Sequence, residues 1–199
     1  MGREERKERE EKRENYATKR SFEKRKNMLI TIGVLAIIAT IVGYSGWVFI
    51  NMSHNAPGGP PGAGALGSEH SHAAILVKVF GDTFDFSLPA YQIKTSWIHF
   101  EGGDGTTVHK HAKGVKMGYL FQSLKLKLDD KCFVFQDGRQ FCTNEDYTLK
   151  FYINGEKVSD IRNYEPMDND RILIVYGAET PEEIQGLLEQ LNSQEIKKT

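Results

Sequence analysis

The sequence predicts an α+β protein: a single N-terminal transmembrane helix, then a mostly antiparallel domain with one packed helix and a C-terminal helix. Three observations carry that prediction. Met28 to Ile50 is an apolar run without a charged residue. From Ala74 onward come short segments rich in Val, Ile, Phe and Tyr, separated by Gly, Asn and Asp, as strands are. Thr180-Pro181-Glu182-Glu183 then opens a stretch whose apolar residues recur at helical spacing.

The first 27 residues carry eleven Lys/Arg and seven Asp/Glu, a local net charge of +4. With almost nothing to bury, the arm is either an exposed helix laced with i,i+4 pairs or an unordered chain. Nucleic-acid binding wants clustered basic charge with interleaved aromatics, whereas acidic residues here largely cancel the field. As a helix the 28–50 run reaches about 35 Å, enough to cross a bilayer core with some tilt. Lys19, Arg20, Lys24, Arg25 and Lys26 precede it, and no Lys or Arg follows until Lys78. That asymmetry predicts a cytoplasmic N-terminus, an uncleaved signal anchor and an extracytoplasmic C-terminal domain. A cleaved signal peptide would have an apolar region of about 7–15 residues, shorter than this one.

Residues 51–73 read as a spacer, because Gly, Pro and small residues give neither a period nor a core. Subtracting the arm's +4 from the chain's −1 leaves −5 for residues 51–199, which argues against an anionic polymer as partner. The domain proper is expected over 74–179. Its first hairpin runs from Ile75 to Leu88 with Gly81-Asp82 as the turn. Ser96–Phe100 and Thr106–His111 form a second hairpin around Gly102-Gly103-Asp104-Gly105. A short helix follows over 114–125, then a hairpin from Cys132 to Cys142. A strand over 149–153 ends at Asn154-Gly155, and the last strand covers 172–176. A C-terminal helix or tail takes 180–199, with an N-cap, a Pro at its first position and acids in its first turn.

This order, with Phe151-Tyr152-Ile153-Asn154-Gly155-Glu156 and the turn Asp168-Asn169-Asp170-Arg171-Ile172, resembles the β-grasp fold, in which a sheet wraps one helix. Four further stretches are Phe84-Asp85-Phe86-Ser87-x-Pro89-x-Tyr91-Gln92, His99-Phe100-Glu101, His109-Lys110-His111-Ala112-x-Gly114-Val115 and Tyr152-Ile153-Asn154-Gly155. With the arm and the anchor, they resemble membrane-anchored proteins of ammonia-oxidising archaea, some of which are classed as protein-disulfide isomerases. The resemblance implies a lineage and an envelope location, not a mechanism.

Two constellations carry chemistry. His109 and His111 point to one face of their strand, as do His99 and Glu101 on the preceding one. A hairpin centred on Asp104 sets His99 opposite His109. Three imidazoles with Glu101 beside them then form a candidate site for one Cu or Zn ion on an exposed strand face. Ordinary surface histidines are the competing reading. His54, His70 and His72 fall in or beside the spacer, where a mobile site must first lose chain entropy, so they read as solvated. In the second constellation, a three-residue loop of Gln136, Asp137 and Gly138 places Cys132 directly opposite Cys142, within reach of a disulfide. The anchor puts these cysteines outside the cytosolic thiol buffers, favouring a structural bridge. Redox catalysis would want Cys-x-x-Cys at a helix N-terminus.

Phosphate-cradling loops, Gly-x-Ser-x-Gly and His-Glu-x-x-His are all missing from the sequence. The expected function is therefore a membrane-tethered binding or accessory module, non-enzymatic, that takes a metal ion or docks on an envelope protein complex. The alternative is a thiol–disulfide oxidoreductase or isomerase using Cys132 and Cys142.

Overall fold

The structure, a computed structural model, describes residues 2–52 and 59–198. It falls into two compact units, dividing at residues 51 and 52. The first is one continuous helix, α1 (Arg3–Met52), holding both the charged arm and the apolar run. The arm is thus helical, with an i,i+4 pair between Lys12 and Glu8 at 2.9 Å. Along the apolar run, the Thr31 and Thr40 hydroxyls donate back to the carbonyls of Asn27 and Ala36. Leu35, Ile38, Ile41 and Val42 all lie exposed. The helix is long and apolar enough to cross a membrane.

The second unit is α+β. Its elements are β1 (Ser71–Val79), β2 (Asp82–Thr83), a 3-10 turn (Pro89–Tyr91), β3 (Ile98–His99) and β4 (Thr107–Lys110). They continue with α2 (Met117–Ser123), β5 (Lys127–Leu128), β6 (Cys132–Val134), β7 (Gln140–Cys142), β8 (Thr148–Ile153), β9 (Glu156–Val158), β10 (Arg171–Gly177) and α3 (Pro181–Ser193). The main sheet runs β3-β4-β1-β10-β8-β9, with β2 on the same edge of β1 as β4. Among the described strands β1 and β10 pair in parallel and every other strand pairing is antiparallel. A smaller sheet has the order β5-β6-β7.

The two central strands are buried on both faces, so they read as continuous apolar runs rather than as alternation. Ile75, Val77, Ile172 and Ile174 face the larger core with Phe86, Phe100, Leu120, Phe121 and Phe133. Ala74, Leu76, Leu173 and Val175 face Ile184 and Leu191 of α3. Helix α3 opens with a complete capping box: Thr180 Oγ1 accepts from the Glu183 N–H, and the Glu183 carboxylate accepts from the Thr180 N–H at 2.7 Å.

Three expectations need correction. The first hairpin turns one residue early, at Phe80-Gly81, both at positive φ, and pairing ends at Val79 with Asp82. Phe80 tolerates that backbone because its ring packs edge-on against Phe141, Tyr147 and Tyr176. Residues 84–88 are consequently not a strand. The expected spacer is docked on the domain from residue 59 onward: Ala63 is buried, and the Gly64 and Gly67 N–H groups donate to the carbonyls of Lys113 and His111. Strand β1 itself starts at Ser71, inside the stretch expected as spacer.

Candidate metal centre

Strand β1 lies between β10 and β4, and β4 lies between β1 and β3. The register sets His72 opposite His109 and His109 opposite His99, one row across three strands. One pleat further along, His70 and His111 stand on the same side, their ring centroids 4.7 Å apart. Five imidazoles therefore tile one patch, in neighbour contact from His70 to His72 (4.6 Å), to His109 (4.9 Å), to His99 (6.1 Å), to His111 (4.9 Å). The even-numbered β1 side chains make this the face that α3 covers, beyond the helix's C-terminal end. There the Lys197 N–H donates to Thr107 Oγ1 and Lys198 pairs with Asp168 at 3.1 Å.

The patch is not the exposed strand face that the sequence suggested. His109 is 1% exposed, His99 6% and His72 7%; His111 is half-buried and His70 exposed. Burial in this apolar setting pushes His109 down to about 4, partly opposed by the Glu101 carboxylate and reinforced by the other imidazoles. His111 moves down as well, first through burial and then through His99 and His70. A neutral imidazole is the form that binds metal.

The predicted set of His99, His109, His111 and Glu101 is brought together, and the expected pairing of His99 with His109 is present. Glu101 Oε2 lies 3.2 Å from His99 Nε2, and its Oε1 lies 3.4 Å from His109 Nδ1. Among the described residues, His70, His72 and His109 also form a trio whose candidate ligand atoms all lie within 4.8 Å of one another. His72 Nε2 and His109 Nδ1 are buried without a hydrogen-bond partner, so the 3.4 Å approach of Glu101 is not aligned as one. His70 and His72 were thus misplaced by the spacer reading. The one available signal was that no Gly or Pro separates His70-Ser71-His72 from the apolar run that starts at Ala73. His54 lies outside the described residues.

Several neighbours hold this patch in shape. Asp168 Oδ1 accepts the His72 backbone N–H at 3.0 Å and stands 3.5 Å from its ring Nδ1. On the opposite face of β4, the ammonium of Lys110, 1% exposed, bonds Glu69 at 3.0 Å and Glu165 at 2.9 Å. Glu165 also accepts the Gly114 N–H at 2.6 Å. Gly114 has φ +75, and a Cβ there would run into the Gly62 carbonyl.

Cys132 and Cys142 pair directly across β6 and β7 and form a disulfide, with Cα atoms 4.0 Å apart. Gly138 takes the left-handed turn position (φ +87), and the Phe135 N–H donates to the Arg139 carbonyl at 2.9 Å, the three-residue loop expected from sequence. Both cysteines sit on strands, away from any helix N-terminus. Asp170 is bound by its own fold: Tyr164 OH and the Met167 N–H donate to Oδ2, and Asn154 Nδ2 donates to Oδ1. The turn after Tyr164 is accordingly clasped by the buried Asp170, while Met167, Asp168 and Asn169 at its tip are exposed. Comparison with family models, curated proteins and solved structures finds no match to this chain.

Proposed function

We propose that this chain is a single-pass, membrane-tethered extracytoplasmic module that binds Cu²⁺ or Zn²⁺ through His70, His72 and His109. One observation carries the metal reading: two buried imidazole nitrogens, on His72 and His109, lack any hydrogen-bond partner inside a three-histidine group. A buried polar atom without a partner costs free energy, on the order of 1–3 kcal/mol, and a metal ion with imidazole ligands offsets it. All-imidazole coordination suits Cu²⁺ and Zn²⁺.

The basic arm before Met28 supports a cytoplasmic N-terminus, and the disulfide supports an outer domain held away from cytosolic thiol buffers. The strand sequence supports a β-grasp-like domain, since the first and last strands pair in parallel at the sheet centre, with β2 and β4 antiparallel outside the first and β8 antiparallel outside the last. The lineage proposed is that of the membrane-anchored archaeal proteins, with a role as a non-enzymatic accessory to an envelope complex. The thiol–disulfide alternative gains nothing from two cysteines locked opposite each other on strands.

The test is a competition titration of the full chain in detergent micelles against a chromophoric chelator of known affinity, using Zn²⁺ and Cu²⁺ separately. His72→Ala and His109→Ala should each weaken binding tenfold or more, about 1.4 kcal/mol. Unchanged affinity after both replacements would overturn the site.

A further inference from the structure

The histidine patch is wider than one ion can use. Neighbouring strands lie about 4.8 Å apart, so the row from His72 on β1 to His99 on β3 spans roughly 10 Å, whereas a Zn–N bond is about 2.0–2.1 Å. Five imidazoles and one carboxylate also exceed the four ligands of a tetrahedral ion. An ion held by His70, His72 and His109 leaves His99, His111 and Glu101 beside it.

That remainder has a cation-shaped gap of its own. His99 Nδ1 lies 2.7 Å from the Thr95 carbonyl, which fixes Nδ1 as the protonated nitrogen and turns the Nε2 lone pair toward Glu101. Nε2 and Glu101 Oε2 stand 3.2 Å apart. At that distance the two atoms can share either a proton or a metal ion. An ion about 2.1 Å from each would see them at about 100°, close to a tetrahedral angle. The His111 ring stacks on the His99 ring with centroids 4.9 Å apart, which places a third imidazole beside the pair. The other Glu101 oxygen points at His109, a ligand of the first ion.

We propose that the patch holds two Cu²⁺ or Zn²⁺ ions, the second on His99, His111 and Glu101, with the Glu101 carboxylate bridging the pair. This rests on the single-ion reading above and extends it. An incoming ion takes up the gap between His99 Nε2 and Glu101 Oε2, and any proton held there leaves to solvent.

The experiment uses the full-length chain in detergent micelles, untagged and carrying His54→Ala, so that this histidine adds nothing. Equilibrium dialysis against Zn²⁺ should give two equivalents per chain, and Cu²⁺ loading should give an electron paramagnetic resonance spectrum broadened or silenced by coupling between neighbouring spins. His99→Ala with His111→Ala, and independently Glu101→Gln, should each leave one equivalent and an uncoupled Cu²⁺ spectrum. Circular dichroism and melting curves confirm that each variant is folded, and Glu101→Gln preserves the side-chain shape should the double variant collapse. One equivalent in the parent chain, removed by His72→Ala with His109→Ala but untouched by Glu101→Gln, would overturn the second ion and keep the first. Two equivalents that persist after His72→Ala with His109→Ala would overturn both readings.

Discussion

At the scale of single residues, the two faces of β4 carry groups whose charge states oppose acid. His109 is held neutral by burial, at about 4 against 6.5 for an unfolded histidine. Between those values the unfolded chain binds the proton and the folded chain does not. Stability from this residue is therefore fully present above about pH 6.5 and is lost as pH falls toward 4. Glu165 acts in the same direction lower down. Burial alone would raise it, but the Lys110 ammonium and the Gly114 N–H outweigh burial and hold it below its ordinary 4.5. Its contribution is present above the unfolded value and lost below it. Metal-free protein should lose about 2 kcal/mol between pH 7 and pH 5 through His109, seen as a lower urea midpoint. A midpoint that stays level over that range contradicts the assignment. Lys110→Met would leave two carboxylates facing a buried gap, and should cost about 3 kcal/mol by the same measurement.

At the scale of elements, two devices hold pieces too small to stand alone. The β5-β6-β7 sheet has strands of two or three residues, and its covalent clasp is Cys132–Cys142. Replacing both cysteines by Ala should lower stability by about 2–3 kcal/mol, the loop-closure term for a short ring, while the circular dichroism spectrum keeps its native form. Intact-mass analysis of membrane-derived protein that finds two free thiols counts against the bridge. Helix α3 covers the second face of the sheet through Ile184 and Leu191, and it starts from the Thr180–Glu183 capping box. Thr180→Ala should cost about 1 kcal/mol, read as a fall in melting temperature. Because the tail beyond α3 reaches Thr107 and Asp168 beside the histidines, the same change should also raise hydrogen exchange there.

At the scale of the whole molecule, α1 carries basic charge before its apolar run and none after it until Lys78, the asymmetry on which the proposed cytoplasmic N-terminus rests. A reporter active only in the cytoplasm should work when fused before residue 1 and fail after residue 199. The reverse pattern, or a mature chain starting beyond residue 50, removes the anchor. The sequence by itself determined what depends on near neighbours: the apolar length of α1, the Gly138 turn with its cross-strand disulfide, the capped start of α3, and the His99–His109 pairing through a short Gly-rich loop. Each follows from residues close together in the chain, the apolar run by its unbroken length and the others by spacings within about a dozen residues. The tertiary structure alone decided that β1 begins at Ser71, that residues from 59 dock on the domain, and that His70 and His72 join a patch whose other members lie 27 or more residues away. Composition made 59–72 look like a spacer because Gly and Pro lack a period of their own. Their order comes from partners across the fold, the Lys113 and His111 carbonyls and the buried Lys110, which local sequence does not encode.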